Sequence, residues 1–225
     1  MRRVLFLLIF GLAGFGVLVA LGSWQVQRLA WKEGVLADID ARISGAPSAL
    51  PAHPDPVEDR YRPVALSGEV LPGEVHVLVS VKRVGPGYRI IAPFVTDGRR
   101  ILVDRGFIRL EDRDTPRALG VMEVTGNLHW PQEIDNYTPE PDTKENIWFA
   151  RDVPTLADEL GTEPILLIAR SATDPNITPL PVDSAGIPND HLQYAVTWFG
   201  LAAVWAGMTG FFLWRTRARP ESETA

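Results

Sequence analysis

Two long apolar runs bracket the chain and a mixed pattern fills the space between them. Val4 to Leu21 carries no charged residue, and neither does Tyr194 to Trp214. A hydrocarbon layer about 30 Å thick needs roughly 20 apolar helical residues. The second run has that length, and the first reaches it with Gly22 and Ser23. A cleaved signal peptide is the rival reading of the first run, with Arg2-Arg3 as its basic start. Signal cores are usually shorter, and the helical pattern continues from Ser23 to Ile43. Trp24, Arg28, Trp31 and Lys32 fall at i, i+4, i+7 and i+8, on one helical face just beyond the apolar run. Leu36, Ile39 and Ile43 extend an apolar stripe, which predicts that this extension packs on the central domain.

The period changes after a proline-rich stretch at 45–60. Val64 to Leu66, Val75–Val81, Tyr88–Val95, Arg100–Ile108, Val121–Trp130 and Ile165–Ala169 read as short strands, separated by Pro/Gly/Asp turn signals. Arg89–Val95 and Arg100–Phe107, joined through Thr96-Asp97-Gly98-Arg99, form the clearest hairpin. Pro154 to Leu160 reads as a short helix with Asp152 or Thr155 as its cap. The predicted fold class is membrane α+β: two transmembrane helices, N- and C-terminal, flank an antiparallel β-rich domain, barrel-like or a sandwich, with one or two short helices. The boundaries read as tail 1–3, transmembrane helix 4–23, juxtamembrane extension 24–44, linker 45–60, β-rich domain 61–172, linker 173–191, transmembrane helix 192–214 and tail 215–225.

Charge adds an orientation. Arg2 and Arg3 precede the first run, and Arg215, Arg217 and Arg219 follow the second. The positive-inside rule then predicts both termini in the cytoplasm and the central domain outside it. The chain has 22 Lys+Arg against 28 Asp+Glu, and the interval between the spans is net acidic. That interval offers no basic surface for nucleic acid. There are no cysteines, which excludes disulfides, cysteine metal sites and thiol redox chemistry.

Catalytic signatures are absent. There is no nucleophile elbow, no H-E-x-x-H, no phosphate loop and no dinucleotide fingerprint. The charged turn holding Arg109, Glu111, Asp112, Arg113 and Asp114 reads as a solvated loop. His76 and His129 read as strand residues, and His53 as an exposed linker residue. His191 stands at the mouth of the second apolar run. Tyr194, Trp198 and Ala202 follow it at i+3, i+7 and i+11. An imidazole at the rim of an aromatic stripe suits a haem-iron ligand. Arg28 and Lys32 would be cations for the propionates. The alternative is an interfacial histidine beside an aromatic belt, and the residues alone leave both open. Gly11, Gly14 and Gly16, with Ala203/Gly207 and Ala206/Gly210, are the small residues through which the spans could pack.

Longer segments are more specific. These are Gly22-Ser23-Trp24-Gln25 through Trp31-Lys32, Tyr61-Arg62-Pro63-Val64, Gly87-Tyr88 with Pro93-Phe94, Val103-Asp104-Arg105-Gly106-Phe107, Asn146-Ile147-Trp148, and Asn189-Asp190-His191 through Gly200-Leu201. Together they resemble the surfeit locus protein 1 family, the Shy-type cytochrome c oxidase assembly factors, over nearly the whole chain. The few residues ahead of the first run leave no room for a transit peptide, so the expectation is a bacterial member, in the inner membrane with its β-rich domain in the periplasm. The resemblance implies a non-catalytic assembly factor for a haem-copper terminal oxidase. Such a factor binds haem a transiently, takes it near haem a synthase and assists its insertion into oxidase subunit I. The family's histidine at the second span matches His191, the expected axial ligand; the reading of the residues adds Tyr194 and Trp198 to line the macrocycle and Arg28 and Lys32 to pair with propionates. The competing expectation is a membrane-anchored scaffold for oxidase assembly that binds no haem.

Overall fold

A computed structural model describes residues 2–217. The order is α1 (Arg2–Ser44), β1 (Pro63–Val70), β2 (Val75–Val81), β3 (Gly85–Thr96), β4 (Arg99–Arg109), β5 (Gly120–Leu128), β6 (Ile147–Trp148), α2 (Val153–Leu160), β7 (Leu166–Ala169) and α3 (His191–Arg217). A 3-10 turn, Leu110–Asp112, falls within the charged loop after β4. Contacts divide the chain into two units. One combines the N-terminal stretch through Asp38 with the chain from Ala185 onward, and the other is Ile39–Ser184.

The first unit is a helix pair. Both α1 and α3 are long and apolar enough to cross a membrane. On α1, Leu7, Gly11, Gly14, Leu18, Gly22 and Gln25 are buried or half-buried, while the residues between most of them are exposed. On α3 the corresponding set is His191, Ala195, Trp198, Ala202, Trp205, Thr209 and Leu213. Both sets step by three and four residues, the spacing of a seam between two helices. Small residues on α1 take large ones from α3. A Cβ added at Gly14 would come within 2.5 Å of the Trp205 indole, and one at Gly22 within 2.8 Å of the Phe199 ring. Trp205 Nε1 donates to the Gly11 carbonyl at 2.9 Å. The expected pairs Ala203/Gly207 and Ala206/Gly210 lie off this seam: all four are exposed, and Gly207 and Gly210 have nothing near them. Gly16 is likewise off it. Gly11, Gly14 and Gly22 of α1 are the holes that receive Thr209, Trp205 and Phe199 of α3.

The second unit is built on a sheet ordered β1-β5-β7-β4-β3-β2-β6, with an additional β1–β3 pairing. That pairing closes β1, β5, β7, β4 and β3 into a five-stranded barrel. Closure depends on β3, whose first half pairs with β2 and whose end, Phe94 and Val95, pairs with β1. Gly68 is needed at the closure, since a side chain there would collide with the Val95 carbonyl. Val64, Leu66, Phe94, Ile101, Val103 and Leu167 are among the residues filling the barrel. Alternate residues of β4 and β7 point outward and carry α2, in a second cluster of Leu102, Leu166 and Ile168 against Val153, Leu156 and Ala157.

Local chemistry explains the elements. The β3–β4 hairpin turns through Asp97 (φ 48) and Gly98 (φ 75), two left-handed residues as a tight hairpin turn of this kind requires. Asp152 caps α2 by accepting from Thr155 N at 3.2 Å, and Gly161 (φ 60) ends it. The last turn of α1 belongs to this unit, where Asn127 Nδ2 and Arg170 donate to the Ile43 carbonyl at 2.9 and 3.1 Å.

Three expectations need correction. The sheet is mixed, because β7 runs parallel to β4 and β6 parallel to β2. The intervening chain around α2 is long enough to bring β7 back in the parallel sense. The stretches expected as linkers are also packed. Ser48 bridges Val64, Leu50 lies against the barrel core, Thr178 bridges Phe107 and Ile177 is buried. Proline restricts a backbone to extended and turn shapes, and these still pack. Finally, β5 stops at Leu128 rather than at Trp130.

Candidate functional site

His191 opens α3 and lies half-buried in the helix seam. Its Nδ1 is 2.8 Å from Gln25 Oε1 on α1. Gln25 is only 8% exposed. A carboxamide oxygen only accepts, so this contact is a hydrogen bond when Nδ1 carries the proton, which leaves the lone pair of a neutral ring on Nε2. Among the described residues Nε2 has no hydrogen-bond partner. The imidazole is held on its Nδ1 side, at the start of α3 and beside the middle of α1.

Of the other predicted residues, Trp198 is half-buried in the same seam, two turns along α3. Tyr194 is not on the seam. It is 55% exposed, because i+3 from His191 rotates past the contact line that i+4 (Ala195) occupies. Arg28 is exposed, with its guanidinium 4.2 Å above the Trp31 ring. Lys32 is half-buried and has no ion-pair partner among the described residues. Trp24 and Trp31 are both about half exposed. Arg219, expected in the C-terminal tail, lies outside the described residues.

The residues that sequence reasoning missed are charged and buried. Asp104 is fully enclosed and pairs with Arg89; Arg151 reaches Asp104 at 3.5 Å and also pairs with Glu133. Burial works to raise the Glu133 carboxyl, but hydrogen bonds from Arg151 outweigh it and hold the group below its ordinary value. Arg105 is the extra residue of a bulge, where register shifts between Ile90 and Ile91. It is fully buried and donates to Thr173 Oγ1 at 3.1 Å and to the Ala118 carbonyl at 2.9 Å. Arg117 and His76 both contact Glu74. These groups tie the loops around 113–118, 130–151 and 171–180 to the barrel. Arg89, Arg151 and Arg117 each meet a carboxylate, the pattern of a structural ion network, whereas Arg105 has its nearest carboxylate, Asp174, 3.9 Å away and its Nη1 buried without a partner. No cluster of three or more metal-binding side chains occurs among the described residues.

Residues 12–203 match the model of the SURF1 family. The chain belongs to that family. It is 32% identical over 214 residues to surfeit locus protein 1 of Xenopus tropicalis, covering 82% of this chain and 68% of that protein. It is 31% identical over 222 residues to the human surfeit locus protein 1, covering 88% and 73%. It is 32% identical over 238 residues to a SURF1-like protein of Drosophila melanogaster, covering 93% and 75%. The span matched to the SURF1 family contains both Gln25 and His191, so both sides of the seam contact fall inside the shared region.

Gln25 was legible only as one letter of a juxtamembrane motif. Its signal was position. It follows Leu18 and Gly22 on the three–four spacing, and so is a polar residue at a seam site where an apolar one is expected.

Proposed function

We propose that this chain is a non-catalytic, membrane-embedded assembly factor for a haem-copper terminal oxidase, with haem a as its cargo. The observation that carries the reading is His191 Nε2, an imidazole nitrogen with no hydrogen-bond partner among the described residues, at the end of an apolar helix seam. That is the donor chemistry an axial site for haem iron needs. His191 would hold the iron and Trp198 would offer an aromatic wall. Arg28 and Lys32 would serve the propionates, for which Lys32 has its charge unpaired. Tyr194 would meet the macrocycle from outside the seam. The outward faces of both helices are apolar, with Leu5, Phe6, Ile9, Val196, Val204 and Phe211 all exposed, which suits lipid contact rather than water. In this reading both spans lie in a bacterial inner membrane, with both termini cytoplasmic and the barrel in the periplasm. The partners would be haem a synthase as donor and oxidase subunit I as acceptor.

The test is purification of the full chain from membranes of cells that make haem a, with His191→Ala and His191→Met beside the wild type. The wild type should carry haem a. The alanine variant should lose most of it, and the methionine variant should change its spectrum. Haem content and spectrum unaffected by both substitutions would remove the ligand role and leave an assembly scaffold without haem.

A further inference from the structure

We infer that Gln25 is the positioning residue of His191: it selects the ring tautomer that leaves Nε2 free and sets how strongly that nitrogen donates. The tautomer part rests on the contact between Gln25 Oε1 and His191 Nδ1. The donor-strength part rests on the haem reading above.

The argument begins with cost. A carboxamide buried among apolar side chains loses its hydration and is tolerated only when hydrogen-bonded. Gln25 is 92% buried, since only 8% of it is exposed. Its neighbours along the seam are Gly22 and Leu18 on α1, with Ala195 and Trp198 on α3. Its side-chain partner is His191 Nδ1, at 2.8 Å. The contact joins residues 166 positions apart, one on each helix. It therefore forms only when the helices are paired, and the ring is oriented only then.

The chemistry follows from the kind of acceptor. In free imidazole either nitrogen can carry the proton. An acceptor fixed at Nδ1 holds the proton there and leaves the Nε2 lone pair exposed. Partners of this type behind metal-bound histidines orient the ring and raise its basicity. A carboxylate would pull the Nδ1 proton hard and make Nε2 a strong donor. An apolar side chain would leave both tautomer and orientation unset. The neutral amide lies between these. It also does not titrate, so ligand competence does not depend on the charge of the partner. An intermediate donor suits a protein that must hold its cargo and then give it up.

The experiment uses the full chain in lipid nanodiscs. Nitrogen NMR on 15N-histidine-labelled apoprotein reads the tautomer, with the His191 signals identified by their loss in His191→Asn. Wild type should show a protonated Nδ1 and an unprotonated Nε2. Gln25→Leu should lose that bias, and Gln25→Glu should keep it. With haem a added, Gln25→Leu should bind about tenfold more weakly. Gln25→Glu should bind at least as tightly as wild type, with a lower midpoint potential. An Nε2-protonated wild-type ring would overturn the inference. So would a Gln25→Leu variant whose tautomer, haem affinity and midpoint all match wild type. A wild-type ring with the expected tautomer but no haem binding would overturn the donor-strength part and the haem reading together, while the tautomer assignment stands.

Discussion

Arg89 and Asp104 are paired by a hydrogen bond between the neighbouring strands β3 and β4, with the carboxylate wholly enclosed and the guanidinium nearly so. Asp104 also faces Arg151, and its Oδ1 accepts from Gly106 N at 3.1 Å. One carboxylate therefore holds a cross-strand pair, a loop and the bulge. Removing it leaves two buried cations short of an anion. Asp104→Ala should cost about 3–5 kcal/mol, read as a lower unfolding temperature of the full chain in detergent. Arg89→Met with Asp104→Leu should recover part of that loss. An Asp104→Ala chain that melts with the wild type would mean that the network contributes nothing.

The helix seam makes a prediction that the absence of cysteine renders simple to check. Gly22→Cys with Phe199→Cys should cross-link in membranes with a short thiol reagent. Gly16→Cys with Gly207→Cys should not, because neither glycine has an atom near its Cβ position. Adding Gly14→Leu should abolish the first cross-link by driving a side chain into the Trp205 indole. Equal cross-linking of both pairs would contradict the seam.

Acid stability should carry the mark of His129. Burial, then the positive charges of Arg151 and Arg60, lower this imidazole from 6.5 to about 4. The unfolded chain takes up a proton near 6.5 that the folded chain refuses until about 4. Stability is therefore present above 6.5 and is lost as pH falls from there toward about 4. His129→Gln should flatten the unfolding temperature across the upper part of this window, above the carboxylate range. A profile with the same slope in the variant would assign the loss to other groups.

The cap of α2 is a smaller effect. Asp152→Ala removes the acceptor for Thr155 N and should cost about 1 kcal/mol, whereas Asp152→Asn should cost a few tenths. Denaturant midpoints of the full chain distinguish the two.

Local rules carried much of the fold. Apolar run length marked both long helices, and left-handed Asp97 and Gly98 marked the β3–β4 hairpin. Asp152 was one of two caps open for α2, and the structure uses it, because caps and turns depend on residues a few positions apart. The same rules did not supply barrel closure. The β1–β3 pairing joins Glu69 to Val95, and no local pattern encodes which distant edges meet. Nor did they show that β7 would enter parallel to β4. The buried charges Arg89, Asp104 and Arg105 were not singled out, since a charge gives no sign of burial until its partner is placed beside it.

His191 illustrates the division most directly. Residue type and position at the end of an apolar run were enough to single it out, because imidazole chemistry belongs to the side chain itself. Which nitrogen is left free was a tertiary matter. The contact at Nδ1 comes from Gln25, on a helix at the other end of the chain. A hydrogen bond across so long an interval exists only after the helices have paired. The exposed position of Tyr194 has the same origin, since seam geometry rather than nominal helical spacing determined which side chains face inward.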